Sequence, residues 1–169
     1  VFLVLIIQYF QNTNRQLQDQ LYHQNQYIID INTKLHYIDS TKKHIWQHLP
    51  IGSPLDFILI RSKFGNRRDP ITRSWSKHEG LDLKGTSKDT VYSTGAGIIE
   101  CSGWNHGYGR CIIIDHMNGY KTLYAHLSQC IVSEGTYITD HHPIGKVGST
   151  GRSTGAHLHY EITYSNQHK

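Results

Sequence analysis

Cys111-Ile112-Ile113-Ile114-Asp115-His116-Met117-Asn118-Gly119-Tyr120-Lys121-Thr122-Leu123-Tyr124-Ala125 is the stretch that sets the fold class of this chain. Its flanks, Cys111–Asp115 and Lys121–Ala125, read as strands, and Asn-Gly between them favours a two-residue type I′ hairpin turn. That turn pairs Met117 with Tyr120. Counting outward sets His126 opposite Cys111, at the end of the hairpin far from its turn. The same texture extends in both directions. Ile98–Cys101, Ile144–Val147 and His157–Thr163 are short apolar runs separated by Gly, Asn, Asp and Ser, and they read as strands. No helical period follows residue 54, so this part of the chain is expected to be mainly β and mostly antiparallel.

Upstream the pattern changes. Leu17, Leu21, Ile28, Ile31, Leu35, Ile38, Ile45 and Leu49 follow a 4-3 repeat, with Gln24 and Lys42 in its two polar slots and no Pro or Gly before Pro50. Such a stripe predicts a long helix, roughly 50 Å over this span, that forms a coiled coil or packs on a neighbouring surface. Its histidines, His23, His36, His44 and His48, read as solvated side chains. Pro50-Ile51-Gly52-Ser53-Pro54 ends the helix and marks a boundary. The chain opens on seven apolar residues, Val1–Ile7, with no initiator Met. A spanning helix needs about 20, so the stretch is read as the surviving end of a signal or membrane segment, the buried start of a helix being the alternative. The expected organisation is an anchor remnant at residues 1–9, a helical coiled-coil stalk at 10–50 and a β domain at 55–165.

At 169 residues with 37% hydrophobic content, the chain suits one compact domain plus an appendage. The formal charge of +4 is uneven. Arg61, Lys63, Arg67, Arg68, Arg73 and Lys77 face a single acid, Asp69, in the same stretch. A basic face of this kind suits polyanions, membrane surfaces or a cell wall, or is a solvated strand edge. Cys101, Cys111 and Cys130 form no C-x-x-C and no zinc-ribbon spacing, and read as small, half-buried core residues.

The chemistry lies in His157-Leu158-His159, downstream of His78-x-x-x-Asp82. Side chains two apart on a strand share a face and stand roughly 7 Å from one another. One imidazole can bind a metal while its neighbour reaches the atoms bound to that metal. His78 and Asp82 add a nitrogen and an oxygen ligand, both suited to zinc. Among 13 histidines an isolated H-x-H pair says little; its combination with H-x-x-x-D says much more.

His78-Glu79-Gly80-Leu81-Asp82, Tyr124-Ala125-His126-Leu127 and Gly155-Ala156-His157-Leu158-His159-Tyr160-Glu161, taken in order, resemble the lysostaphin-type (LytM-like) zinc metallopeptidases that cut peptide links in bacterial cell walls. The resemblance covers about residues 55–163. It implies an antiparallel β-sheet peptidase domain, preceded here by the long coiled-coil-like helix. It implies one Zn2+ per chain on His78, Asp82 and His159, with His126 and His157 as unligated catalytic histidines. It does not say which of the two is the general base. The function implied is hydrolysis of peptidoglycan cross-links or stem peptides in the bacterial envelope, outside the cytoplasm. The apolar opening, read as an anchor remnant, adds the expectation of attachment to the inner membrane through residues that precede it. The stalk would pair with itself or with a partner helix, and no nucleic-acid partner is expected.

Two other readings stand beside this one: a catalytically silent module that binds or activates cell-wall amidases through its coiled coil, and a metal-stabilised structural protein of the envelope. A closed site, with His126 or His116 as fourth ligand, would suit the latter. Gly148-Ser149-Thr150-Gly151-Arg152-Ser153-Thr154-Gly155 lacks the G-K-[ST] ending of a phosphate loop and leads into a strand, so it is read as a wall of the substrate groove. Tyr108, Tyr120 and Tyr160 are either groove lining or core. Asp140-His141-His142-Pro143 departs from the family pattern and is read as an altered surface turn, with a second metal site as the alternative.

Overall fold

The computed structural model describes residues 10–165, with the backbone course alone for residues 2–9, 167 and 168. The anchor remnant expected at residues 1–9 lies outside the described residues. The chain divides into two units, Val1–His44 and Ile45–Lys169.

The first unit belongs to one helix, α1 (Phe2–His48). Leu17, Leu21, Ile28, Ile31, Leu35 and Ile38 stand between 38% and 55% exposed, so the heptad seam is uncovered. No helix among the described residues is long and apolar enough to cross a membrane. The last turn of α1 lies in the second unit. Its terminal carbonyls are capped there, Gln47 O by the Ala96 N–H at 2.6 Å and His48 O by the Asn118 side-chain amide at 2.9 Å. Pro50 then forbids a further turn. His48, expected to be solvated, is instead buried with its ring beside Tyr137, because this turn is packed rather than free.

Apart from that last turn of α1 and a short 3-10 turn at His106–Tyr108, the second unit is antiparallel β. Its strands are β1 (Ile60–Ser62), β2 (Gly65–Arg68), β3 (Trp75–His78), β4 (Leu81–Lys84), β5 (Thr90–Tyr92), β6 (Gly97–Asn105), β7 (Gly109–Asp115), β8 (Tyr120–Leu127), β9 (Gln129–Cys130), β10 (Tyr137–Ile138), β11 (Pro143–Lys146), β12 (His157–Tyr164) and β13 (Gln167–His168). The main sheet runs β1-β4-β12-β8-β7-β6-β10, with β13 on β12; β5-β11-β9 and the β2-β3 hairpin complete the unit. Strand β12 is central, and its alternation assigns the two faces of the sheet. Leu158 and Tyr160 point into a core with Leu83, Ile112, Ile114, Tyr124 and Leu127. His157, His159 and Glu161 take the other face. Cys111 is fully buried and Cys101 and Cys130 are half-buried, all three as free thiols.

A buried hydroxyl network pins this core. The Tyr124 hydroxyl meets the Thr94 N–H and Oγ1, each at 2.9 Å, and Thr94 Oγ1 meets the Tyr160 hydroxyl at 2.8 Å. His116 closes the network from Thr122 Oγ1 at 2.9 Å to the Ala96 carbonyl at 2.8 Å, which commits that histidine to the core. Tyr124→Phe strands the buried Thr94 N–H, so urea denaturation should show a loss of about 1–3 kcal/mol; an unchanged midpoint would mean the network carries no net stability.

The β7–β8 turn differs from the expected one. Asp115 pairs with Lys121 and the His116 N–H donates to Tyr120 O, so Met117-Asn118-Gly119 is a three-residue loop, with Met117 and Gly119 at φ 57° and 87°. The register is therefore one residue from the type I′ expectation. A bulge restores it farther along: Ile112 pairs with Tyr124, but Arg110 pairs with Leu127. Ala125 and His126 both face Cys111, and His126 takes the left-handed φ of 61°. Bulges of this kind re-aim a side chain.

Candidate active site

His159 on β12 lies directly opposite Asp82 on β4, and their side chains share the face away from the core. His78 ends β3, and only Glu79 and Gly80 separate it from β4. The return is tight. A β-carbon on Gly80 would strike the Tyr160 carbonyl and come within 2.8 Å of Glu161 Cγ and 3.0 Å of the His159 ring. Glycine is what lets the H-x-G-x-D turn close on β12.

Three donor atoms meet. Asp82 Oδ1 lies 3.0 Å from His78 Nε2 and 2.9 Å from His159 Nδ1, and the two nitrogens are 3.1 Å apart. All three residues are buried. The outer ring nitrogens fix the tautomers. His78 Nδ1–H donates to the Lys63 carbonyl at 2.8 Å, and His159 Nε2–H donates to Glu161 Oε1 at 2.8 Å. The inner nitrogens then present lone pairs to one another and to a carboxylate oxygen, an arrangement that a cation between them resolves. Tetrahedral zinc with bonds of about 2.1 Å holds its ligands about 3.4 Å apart, so the site needs to open by only a few tenths of an ångström. Among the described residues this is the one group of His, Cys, Asp or Glu so placed. His141 is instead stacked on Tyr92 with ring centres 4.4 Å apart, a surface turn as the sequence suggested.

The surroundings favour positive charge at the centre. Burial works against ionisation of Asp82, yet the imidazoles of His157, His159 and His78 gathered on it outweigh burial and hold its carboxyl far below the usual range. Burial likewise opposes a proton on His159, but Asp82 and Glu161 on either side of the ring outweigh it. Arg67 donates to the second Asp82 oxygen at 3.1 Å, and the Tyr108 hydroxyl donates to Glu161 Oε1 at 2.7 Å. Histidine ligands are oriented by such carboxylates. Glu161→Ala should weaken zinc binding about 10–100-fold in a competition titration against a chromogenic chelator; unchanged affinity would mean that Glu161 does not support the site.

His157 and His126 border the donors. His157 Nε2 lies 3.5 Å from Asp82 Oδ1, while its Nδ1–H donates to the Gly155 carbonyl at 2.7 Å. His126 Nδ1–H donates to the Thr150 carbonyl at 2.8 Å, and its ring centre stands 4.8 Å from that of His157 and 5.7 Å from that of His159. Burial lowers the His126 pKa to about 4, against the opposing pull of the Thr150 carbonyl, so the ring is neutral at pH 7. His126 Nε2 is left as a proton acceptor, while His157 Nε2 faces the Asp82 carboxylate. The bulge makes this placement, since it turns His126 onto the face that carries His159.

A groove of about 560 Å³ opens on these residues. The β2–β3 hairpin forms one wall. The 148–155 loop forms another, as its glycine content suggested, and Arg152 of that loop donates to Asp69 Oδ2 of the hairpin at 2.6 Å. Tyr108 lines the groove, whereas Tyr160 is core and Tyr120 packs on Tyr164. The sequence assigned no role to Glu161 or Arg67. Glu161 was within reach of the same reading, because H-x-H-x-E continues the alternation that places His157 and His159 together. Arg67 and the Lys63 and Thr150 carbonyls come from distant segments, and no local spacing announces them.

Residues 76–169 match the family model described as Peptidase family M23. The chain is 44% identical over 114 residues to the DD-carboxypeptidase/endopeptidase Mpg of Neisseria meningitidis serogroup B, which is 68% of this chain and 26% of that protein. Among solved structures, a zinc containing peptidase from Vibrio cholerae superposes with a TM-score of 0.62 at 31% identity, over 73% of this chain and 38% of that one. The catalytic domain of the antimicrobial peptidase lysostaphin from Staphylococcus simulans gives 0.60 at 28% identity, over 66% of this chain and 87% of that one. The chain spans about a quarter of the length of the curated relatives it matches.

Proposed function

The chain belongs to peptidase family M23, and on that premise we propose that its β unit is a zinc-dependent endopeptidase acting on the peptide cross-links or stem peptides of bacterial peptidoglycan. The observation that carries this reading is the meeting of His78, Asp82 and His159 with every outer ring nitrogen already satisfied, beside two further histidines, His126 and His157, that stand outside this group of donors. A closed structural zinc site needs a fourth ligand and has no use for spare imidazoles.

His78, Asp82 and His159 would hold the ion. Zinc bound there would supply Lewis acidity and a water acidic enough to lose a proton near neutral pH. The chain's own residues do the rest. One of His126 and His157 takes the proton at Nε2 and later delivers it to the leaving amine. The other, in its doubly protonated form, donates Nε2–H to the developing oxyanion. Their Nδ1–H bonds to Thr150 and Gly155 orient both rings, which supports Nε2 as the working nitrogen. The 148–155 loop and the β2–β3 hairpin hold an extended peptide between them.

Residues 10–50 are proposed as a coiled-coil stalk that pairs with a second copy or a partner helix through its exposed heptad seam. Residues 55–165 are proposed as the peptidase domain. Action on peptidoglycan places the domain in the cell envelope, outside the cytoplasm, and a membrane anchor before the stalk would hold it near the wall. Zinc dependence is tested by chelation. Removal of the metal should abolish release of peptides from purified peptidoglycan, and added zinc should restore it; hydrolysis that survives full chelation would contradict the reading.

A further inference from the structure

Four cationic side chains line the groove, and three are already committed. Arg67 pairs with Asp82 at 3.1 Å, Lys77 with Glu79 at 3.0 Å and Arg152 with Asp69 at 2.6 Å. Arg61 is the fourth. Among the described residues its guanidinium has no ion pair or hydrogen bond, although it faces the groove.

Its position is built by the backbone. β1 flanks β4, the strand that carries Asp82, and the register shifts between Ile60 and Ser62, so Arg61 sits at an irregularity in the pairing. Such an irregularity re-aims a side chain out of the regular alternation. Arg61 Nη1 lies 4.0 Å from where a β-carbon on Gly155 would stand. Gly155 is also the residue whose carbonyl holds His157. The unpaired guanidinium therefore stands beside the glycine that orients the proposed catalytic histidine, a residue with no side chain to fill the intervening space, and Arg61 and His157 line the same groove.

We infer that Arg61 is a substrate-binding residue that selects peptides carrying a free carboxylate on the residue flanking the scissile bond on the His157 side. This rests on the peptidase reading of the same site. The planar guanidinium matches a carboxylate with two parallel hydrogen bonds, and carboxylates are the anions that peptide substrates present. Charge-assisted bonds of this kind correspond to a preference of about tenfold or more for the charged ligand.

The test uses two synthetic peptides of one sequence, with the flanking carboxylate either free or amidated. Binding is measured by calorimetry on zinc-loaded protein carrying His126→Ala, with and without Arg61→Gln. Hydrolysis of both peptides is measured on the otherwise unaltered chain. The free carboxylate should bind about tenfold more tightly or better, with the preference collapsing to near unity in Arg61→Gln and falling between in Arg61→Lys. Equal binding of the two peptides, binding of neither, or a preference that survives Arg61→Gln overturns the assignment. A carboxylate preference that depends on Arg61, with neither peptide cut, upholds the subsite and contradicts the peptidase reading. Arg61 is exposed on an edge strand, and a thermal midpoint near that of the parent confirms that the variant is folded.

Discussion

With His126→Ala, kcat for peptide hydrolysis is expected to fall by about 10²–10⁴-fold while zinc remains bound at one ion per chain. The expectation follows from how the residue is held. Its backbone is in the left-handed region at a bulge, a conformation that non-glycine residues seldom adopt and that persists where surrounding structure enforces it. Nδ1–H is committed to the Thr150 carbonyl, and burial keeps the ring uncharged at pH 7. What remains is Nε2, an acceptor facing the donors without belonging to them. Alanine removes that acceptor and no ligand. The paired readout matters: zinc measured by atomic emission should be unchanged as turnover collapses. Loss of zinc together with activity would make His126 a ligand and the site a closed one.

Asp82→Asn should have the larger effect on the metal. Asp82 is the hub, with Oδ1 within 3.0 Å of both inner nitrogens and Oδ2 on Arg67. The substitution preserves shape and removes the charge that a divalent ion needs among two neutral imidazoles. It also leaves Arg67 without its carboxylate. Zinc affinity should drop by more than the roughly 10–100-fold that loss of an orienting partner costs, and hydrolysis should fall below detection at ordinary zinc concentrations. An Asp82→Asn variant that keeps zinc at parental affinity would show that the metal sits elsewhere.

The readable parts of this molecule are those set by local periodicity. Alternation along β12 separates Leu158 and Tyr160 from His157 and His159, and the structure puts the two sets on opposite faces of the sheet. The stripe from Leu17 to Ile45, interrupted only at Gln24 and Lys42, announces α1, and Pro50 announces its end. The Asn118-Gly119 turn is found in place but with one residue more in the loop. That shift illustrates where local reading stops. An Asn-Gly pair favours type I′ geometry, yet Asn118 also caps the end of α1, a long-range bond that no hairpin rule includes. The compensating bulge at Ala125-His126 is invisible for the same reason, and the correct placement of His126 opposite Cys111 survives only because the two deviations cancel. The short strands β2 and β3 read locally as no more than a basic stretch. Arg67 there faces inward to Asp82, which becomes legible only once the hairpin closes over β4.

The central claim is that this constellation hydrolyses peptide bonds of the cell wall, and product analysis tests it most directly. Purified peptidoglycan is incubated with zinc-loaded protein, with His126→Ala in parallel, and the released fragments are read by mass spectrometry. New amine ends at a defined peptide bond, produced by the parent and not by the variant, are the predicted result, and they identify the bond cleaved. Intact cross-links and stem peptides after prolonged digestion, with zinc confirmed on the protein, would contradict the account and leave a metal-bearing binding module in its place.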